Sequence, residues 1–291
     1  MLVELIQATA RDGVRLDGTF RQPADAAPRP LTLDACCLIH GTGGNFYNST
    51  LLEALAQRLL GLGCAVLIAN TRGHDGISNA VRGPSGIRQG AAYEVVDDCR
   101  HDLAAWTSWL RERCGPRVAW LGHSLGAVKC LYARSQEPQL APAGIIAVSP
   151  PRLSYSWFCA GSAAAEFLAT YQQAAALVEA GQPTALLEVR FPLPFVITAA
   201  GYVEKYGPDE RYNYLRVLNG FDCPTLLTLG EKEASHNPAF QGIPEAITDL
   251  SRPPSRLRLA TIPGADHFYS GVREPLVATL EAWLREQFTA P

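Results

Sequence analysis

The residues best suited to chemistry lie in the run Gly122-His123-Ser124-Leu125-Gly126. An apolar stretch, Val118 to Leu121, precedes it and a helix-forming stretch, Ala127 to Ala133, follows it, which predicts a strand, a sharp turn and a helix with Ser124 at the apex. Such a turn needs glycine on both sides of the serine, because larger side chains would collide with neighbouring backbone. The turn exposes the hydroxyl and puts the amide of Leu125 at a helix start, where developing negative charge is stabilised. Ser124 is therefore the candidate nucleophile.

A serine hydroxyl is a weak nucleophile at neutral pH and needs a base that is itself oriented by an acid. His267 is the candidate base, because its loop directly follows the last predicted strand. The other five histidines suit this role less well: His40 and His74 in strand-end loops, His101 in a helix, His123 beside the serine and expected to point elsewhere on the turn, and His236 after the acid-bearing loop. We expect His40 to bond loop backbone. A metal site formed by His40, His74 and His267 is disfavoured, because it lacks a carboxylate pattern.

The acid is expected between the serine and the histidine, in the loop after the predicted strand Leu226 to Leu229. That loop reads Gly230-Glu231-Lys232-Glu233. Glu233 is preferred, because three residues past the glycine the chain should have turned back over the sheet edge towards the candidate base, and Glu231 is the alternative. Asp266 is adjacent to the histidine, where its side chain would diverge, so it is assigned to shaping the loop.

A tetrahedral oxyanion needs two hydrogen-bond donors. The amide of Leu125 supplies one of them. The amide of Thr42, in the run His40-Gly41-Thr42-Gly43-Gly44 after an apolar strand, is expected to supply the other. Losing one such donor typically costs about 3 kcal/mol of transition-state stabilisation.

Short apolar runs alternate with helical patterns along the chain, which predicts a mostly parallel sheet with helices on both faces. Val3 to Thr9 and Val14 to Phe20 flank Arg11-Asp12-Gly13 and are expected to form an antiparallel hairpin. Residues 76–90 are glycine-rich and aperiodic, which predicts a long loop. Because each chemical motif follows a strand, the motifs are expected to meet at the carboxyl ends of the strands.

Residues 151–220 differ from the rest of the chain. They carry many aromatic side chains on alanine-rich, mostly helical stretches without an obvious strand. This pattern predicts a helical cap inserted into an α/β core that comprises residues 1–150 and 221–291. The aromatic side chains favour an apolar substrate, and most of them are expected to pack the cap itself.

Composition narrows the possible partners. The 291 residues carry a formal net charge of -3 with scattered lysines and arginines, so neither nucleic acid nor a membrane is an expected partner. Residues 1–7 lack the features of a signal peptide and no apolar run is long enough to span a bilayer, so we expect a cytoplasmic protein. The eight cysteines lie mostly in apolar patterns and are expected to be buried thiols in a reducing compartment. No motif predicts a cofactor or a metal, and the oligomeric state is left open.

The motifs above, together with Asn70 to Gly76, resemble the α/β-hydrolase superfamily over nearly the whole chain. The resemblance implies an eight-stranded sheet with one antiparallel strand, a cap after the sixth strand, and the functional order Ser124, Glu233, His267. Glu233 departs from the family pattern, since most members carry aspartate there. A more distant resemblance is to a branch that includes fungal siderophore-ester hydrolases.

The expected activity is hydrolysis of a carboxylic ester of a small, apolar substrate through an acyl group carried on Ser124. A serine at this position argues against the dehalogenase and epoxide-hydrolase branches of the fold that the chain resembles, since they use aspartate. An acyltransferase or a thioesterase is the alternative enzyme. A non-catalytic receptor for a small ligand is a third hypothesis, and the presence of all three candidate side chains argues against it.

Overall fold

An eight-stranded sheet forms the centre of the computed structural model, which describes residues 3–250 and 256–289. The strands in chain order are β1 (Glu4–Thr9), β2 (Arg15–Arg21), β3 (Ala35–Ile39), β4 (Ala65–Ala69), β5 (Ser78–Arg82), β6 (Ser85–Gln89), β7 (Val118–His123), β8 (Ile145–Val148), β9 (Leu186–Val189), β10 (Phe195–Thr198), β11 (Thr225–Gly230) and β12 (Leu257–Ile262). The α-helices in chain order are α1 (Thr50–Gly61), α2 (Cys99–Cys114), α3 (Leu125–Gln136), α4 (Tyr155–Ala160), α5 (Ala164–Glu179), α6 (Ala199–Tyr206), α7 (Glu231–His236), α8 (Ile243–Thr248) and α9 (Arg273–Phe288).

The order of strands in the central sheet is β1-β2-β4-β3-β7-β8-β11-β12. Strand β2 pairs antiparallel with both β1 and β4, and all the other neighbours pair in parallel. The predicted mostly parallel α/β sheet with one antiparallel strand is confirmed. So is the first hairpin, whose turn contains Gly13 with a φ of 85°. Because the parallel strands end at one edge, the loops after β3, β7, β11 and β12 lie together there.

Helices cover both faces of the sheet, so its central strands are buried on both sides. All five residues of β3 are buried, and successive side chains point to opposite faces. Cys37 belongs to the apolar cluster that contains Trp106 of α2, whereas Leu38 belongs to the cluster that contains Leu55 of α1 and Leu280 of α9. The two-sided burial explains why these strands read as continuous apolar runs and not as alternating patterns.

The segment predicted as a long loop, residues 76–90, instead forms a hairpin from β5 and β6. Its side chains are mostly exposed, so it lacks the alternation of apolar and polar residues that marks a half-buried strand. The turn contains Gly83 with a φ of 56°. The hairpin forms through backbone hydrogen bonds between β5 and β6, and the hydropathy of the sequence does not reveal such bonds.

The segment 151–220 lies between β8 and β11, the sixth and seventh strands of the central sheet in chain order. It contains α4, α5 and α6, as its helical pattern predicted, but it also contains an antiparallel hairpin of β9 and β10. Each of these strands has only four residues, which is too short to show a period of two. The expectation that this segment has no strand is therefore wrong.

The predicted core, residues 1–150 and 221–291, includes residues 1, 2, 251–255, 290 and 291, which lie outside the described residues. Six of the eight cysteine thiols are buried, as expected from their apolar neighbours. Among the helices within residues 3–250 and 256–289, none combines the length and the apolar character that a bilayer-crossing helix requires.

Candidate active site

Ser124 lies at the sharp turn between β7 and α3, as the sequence predicts. Its backbone has a φ of 55° and a ψ of -126°, a sparsely populated conformation that costs on the order of 1–3 kcal/mol in a residue other than glycine. A Cβ on Gly122 would lie 2.2 Å from the carbonyl oxygen of Gly126, and a Cβ on Gly126 would lie 2.4 Å from that of His40. Both positions therefore accept only glycine, and the strained turn is held by packing on both sides.

The imidazole of His267 links the Ser124 hydroxyl to a carboxylate. Its Nε2 lies 2.9 Å from Ser124 Oγ, and its Nδ1 lies 2.6 Å from Glu233 Oε2. An ionised carboxylate only accepts hydrogen bonds, so Nδ1 carries the proton and Nε2 is free to accept the serine O–H. The His267 side chain is 26% exposed and that of Glu233 is 3% exposed, so the ring is open to the cavity while the carboxylate behind it is enclosed.

Glu233 is held by donors from the residue before its helix and from the residue after β8. Its Oε1 accepts the amide of Gly230 at 2.7 Å, the backward bond of a residue in the third position of a helix, and it also accepts the hydroxyl of Ser149. The Ser149 hydroxyl lies 2.9 Å from the Tyr269 hydroxyl, which lies 3.0 Å from Thr228 Oγ1. Two donors thus occupy Oε1, and Oε2 is left to accept the hydrogen bond from the His267 imidazole.

The two other carboxylates considered from the sequence lie elsewhere. Glu231 is exposed, and its Oε2 accepts the amide of Gly264 at 2.7 Å. Asp266 Oδ1 accepts the amides of Phe268 and Ser270, each at 2.9 Å, so it shapes the loop that carries His267. The hydrogen bonds from backbone amides hold the pKa of Asp266 below its ordinary value.

His123 does not point away from the site, contrary to the expectation from the sequence. Its ring lies 4.8 Å from the His267 ring, centroid to centroid, and its Nε2 lies 2.9 Å from the His267 carbonyl oxygen. Burial lowers the pKa of His123 to about 3, so the ring is neutral and its Nε2–H donates to that carbonyl. Its direction follows from the pleat of β7, in which the residue before the turn faces the neighbouring loop.

His40 bonds loop backbone, which confirms its predicted role. Its Nδ1–H donates to the Gly41 carbonyl at 2.8 Å, and its Nε2 accepts the Thr71 amide at 3.0 Å. Burial lowers the pKa of His40 to about 3, so the ring stays neutral. It joins the loop that contains Thr42 to the loop after β4.

These two buried neutral histidines predict an acid-sensitive fold. The unfolded chain binds their protons near the ordinary histidine pKa of 6.5 and the folded chain does not, so stability falls as the pH drops. From about pH 7 to about pH 5, each is expected to contribute a loss of about 2 kcal/mol in the free energy of unfolding.

Urea unfolding at both pH values measures this slope, the change in the free energy of unfolding with pH. The slope should be smaller in His123→Gln, which keeps a side-chain donor. The matched variant of the exposed His236, H236Q, should leave the slope unchanged, and an unaltered slope in H123Q would contradict the assignment.

The two residues whose amides are predicted to bind an oxyanion both lie beside Ser124. Leu125 begins α3, and Thr42 lies in the loop after β3; both residues line the same cavity as the serine hydroxyl. The loop passes so close that a Cβ on Gly41 would lie 2.9 Å from Ser124 Cβ. In the described part of the chain, neither amide donates to a protein acceptor, so both are available to a ligand.

The cavity beside Ser124 has a volume of about 540 Å³ and is enclosed on several sides. Core and insertion residues share its walls, which are largely apolar: Leu51, Leu153, Pro192, Leu193, Tyr206 and Phe240. A larger depression of about 840 Å³ lies near β2 and α1, and none of the candidate catalytic residues Ser124, Glu233 and His267 lines it. Within residues 3–250 and 256–289, no three His, Cys, Asp or Glu side chains cluster in a way that could hold a metal ion.

Sequence reasoning missed three side chains of the site. Ser149 and Tyr269 support Glu233, and Arg273 lines the cavity. Ser149 directly follows β8, so its position at the carboxyl edge of the sheet was a usable signal. Tyr269 and Arg273 carry no such signal, because nothing local distinguishes them from packing or surface residues.

The sequence model of the Alpha/beta hydrolase family matches residues 38–282. The chain belongs to this family. The match spans the motifs around Ser124, Glu233 and His267 and includes the insertion. No curated protein sequence matches this α/β hydrolase.

Solved structures share the fold over nearly the full length of this α/β hydrolase. Est1E from Butyrivibrio proteoclasticus, with ferulic acid bound, has a TM-score of 0.65 and 16% identity, covering 96% of this chain and 98% of that one. The α/β hydrolase GrgF from Penicillium sp. sh18 has a TM-score of 0.70 and 15% identity, covering 99% of both chains. The esterase Pf2001 from Pyrococcus furiosus has a TM-score of 0.63 and 16% identity, covering 100% of this chain and 92% of that one. At such identities the likeness concerns the fold.

Proposed function

We propose that the chain is a serine hydrolase that cleaves a carboxylic ester through an acyl-enzyme. The observation that carries the proposal is the continuous hydrogen-bonded line from Ser124 Oγ through the His267 ring to Glu233. In this proposal Ser124 is the nucleophile, His267 the general base and acid, and Glu233 the group that fixes the tautomer of the imidazole. The family match and the esterase from Pyrococcus furiosus with the same fold support this choice of reaction.

In the first half of the reaction, His267 Nε2 takes the proton of Ser124 as Oγ attacks the ester carbonyl. The carbonyl oxygen becomes an oxyanion that accepts hydrogen bonds from the amides of Thr42 and Leu125. The carbon–oxygen bond to the alcohol then breaks, and the imidazolium returns its proton to the departing oxygen. In the second half, His267 deprotonates water, which attacks the acyl group and releases the acid while Ser124 regains its proton.

The insertion acts as a cap in this proposal. Residues 151–220 supply Leu153, Leu193 and Tyr206 to the walls of the cavity that contains Ser124. These apolar walls suit a small, largely apolar ester and exclude bulk water from the acyl-enzyme. The ferulic acid bound to Est1E shows that a similar fold can hold an aromatic acid, which supports a substrate of this kind.

The eight cysteines are all free thiols, which supports a reducing, cytoplasmic location. Burial raises the pKa of the Cys36, Cys37 and Cys130 thiols, so they are packing residues and not additional nucleophiles.

A fluorophosphonate probe tests the proposed nucleophile. It should label wild type with one equivalent, and Ser124→Ala should take up none, because the probe reacts only with an activated serine hydroxyl. Intact-mass analysis and peptide mapping measure the outcome. Ser149→Ala is the matched control. It should still take up the probe at Ser124, because Ser149 is buried and is not the labelled residue even though it lies in the same site.

Hydrolysis of a panel of p-nitrophenyl esters, with and without excess alcohol, tests the reaction itself. Release of the acid supports hydrolysis, whereas accumulation of a new ester would assign acyl transfer. Absence of both labelling and ester cleavage in folded wild type would overturn the proposal and leave the receptor hypothesis.

A further inference from the structure

Arg273 introduces a positive charge into an otherwise uncharged cavity wall. Among the described residues that line the cavity beside Ser124, it is the only arginine, and no lysine, aspartate or glutamate accompanies it. The residue is half-buried and begins α9. A guanidinium stays protonated at every physiological pH, so the cavity holds one permanent cation.

The guanidinium is oriented but incompletely bonded. One terminal nitrogen donates to Thr50 Oγ1 at 2.7 Å, and the other donates to the Thr50 carbonyl at 3.4 Å. Its Nε–H is buried without an acceptor, and within the two described ranges both hydrogen bonds of the guanidinium go to Thr50. A guanidinium has five N–H donors, and leaving one buried without an acceptor is costly. Each terminal nitrogen carries a second N–H beyond its bond to Thr50, and these N–H groups, not the enclosed Nε–H, are the donors left for an anionic oxygen.

The backbone adds to the positive potential of this wall. Helix α1 begins at Thr50 and helix α9 at Arg273, and both residues line the cavity. The amino-terminal ends of helices carry partial positive charge, which favours an anion near them. The two helix starts and the guanidinium thus act in the same direction, and the described residues of the cavity wall include no acidic side chain that would offset them.

We propose that the substrate is an ester whose acyl portion carries a second, free carboxylate, and that Arg273 binds this carboxylate. The inference rests on the proposed ester hydrolysis and names its substrate class. Arg273 carries one positive charge and bonds one threonine, so it can neutralise the single negative charge of a carboxylate. A phosphate dianion would require more hydrogen-bond donors. The apolar walls near Leu153 and Phe240 suit the hydrocarbon chain between the carboxylate and the ester bond.

The first test compares matched ester pairs. Mono-p-nitrophenyl esters of the dicarboxylic acids from succinate to suberate are compared with the same esters in which the distal carboxylate is a carboxamide. At the best chain length, wild type should prefer the carboxylate in kcat/KM by about tenfold or more, the size expected of a charged hydrogen bond inside a pocket. Arg273→Gln should lower this preference by at least about tenfold, and Arg273→Lys should retain part of it.

The matched control is Arg285→Gln, which removes an exposed arginine of the same helix that pairs with Glu281 and does not line the cavity. It should leave the preference unchanged. A wild-type preference near one at every chain length would overturn the proposal. So would an Arg273→Gln variant that loses activity on both esters equally, because that result assigns Arg273 only to joining α1 and α9 through Thr50.

A binding experiment separates failure of this inference from failure of the proposed reaction. In the Ser124→Ala background, calorimetry should detect binding of the best-fitting free dicarboxylate, and adding Arg273→Gln should weaken it by at least about tenfold. This readout stands even if wild type cleaves no ester. Absence of dicarboxylate binding, or equally tight binding of an alkyl phosphate, would overturn the assignment of a carboxylate.

Discussion

Glu233→Gln is expected to lower kcat/KM for ester hydrolysis by about 10⁴-fold, the effect of replacing a triad acid by its amide. Three donors converge on the carboxylate, from Gly230, Ser149 and His267. A glutamine must turn its own NH₂ towards one of them. If the NH₂ faces His267, the proton moves to Nε2 and the ring can no longer accept the proton of Ser124. If it faces Gly230 and Ser149, two buried donors lose their acceptor.

Glu231→Gln is the matched control, two residues earlier on the same helix. Its amide oxygen can still accept the Gly264 amide, so kcat/KM should stay within about tenfold of wild type. Steady-state kinetics on p-nitrophenyl acetate and the rate of fluorophosphonate labelling measure both variants. A larger loss in Glu231→Gln than in Glu233→Gln would reverse the assignment of the acid.

Glu94→Gln is expected to lower the free energy of unfolding by about 3–5 kcal/mol, the cost of leaving buried charges without their partner. The Glu94 carboxylate contacts Lys129 Nζ and lies 3.9 Å from Lys205 Nζ, with all three side chains at most 1% exposed. Burial raises the pKa of Glu94, but the two lysines outweigh it and hold the pKa below its ordinary value. Removing the negative charge would leave two buried cations facing each other.

This cluster joins three parts of the fold. Lys129 lies on α3 behind Ser124 and also donates to Thr71 Oγ1 at 2.9 Å, while Lys205 lies on α6 of the insertion. Thr71 in turn bonds His40, which holds the loop of Thr42. Loss of Glu94 is therefore expected to loosen both the insertion and the loop beside the serine.

Lys205→Met is the matched control, because two lysines share one carboxylate and removing one leaves a neutral pair. It should cost at most about 1 kcal/mol, since methionine fills a similar volume. Burial lowers the pKa of Lys205, so the penalty in Glu94→Gln should shrink as the pH rises and Lys205 loses its proton. Urea unfolding of each variant measures these differences. An equal loss in both variants would show that the cluster requires its second cation.

The turn at Ser124 and the loops of Thr42 and His267 could be predicted because their signals are local. A strand, two glycines and a helix specify the turn over a dozen residues, and the parallel arrangement then brings strand ends to one edge. The hairpin of β5 and β6 was missed because an exposed two-stranded ribbon has no hydrophobic periodicity. The hairpin of β9 and β10 was missed because its strands are too short to show one.

The choice between Glu231 and Glu233 shows what sequence spacing could only suggest. Both carboxylates lie in the first turn of α7, two positions apart with Lys232 between them. The helix turns Glu233 back to Gly230 and towards His267, and it turns Glu231 outwards to Gly264. Positions two residues apart on a helix point their side chains in different directions, so Glu231 and Glu233 cannot both face His267. Which of them does so depends on the direction of the helix axis in the folded chain.

Local patterns in the sequence specify the α/β class, the order of the chemical motifs and the strained serine turn, because these depend on backbone conformation and apolar periodicity over neighbouring residues. Other features emerge only when the chain is folded: which carboxylate reaches His267, the bond of His123 to the His267 carbonyl, the sharing of Glu94 by two buried lysines, and the place of Arg273 on the cavity wall. These are contacts between side chains far apart in the chain. Their distances depend on how helices and loops pack onto the sheet, and no local pattern encodes that packing.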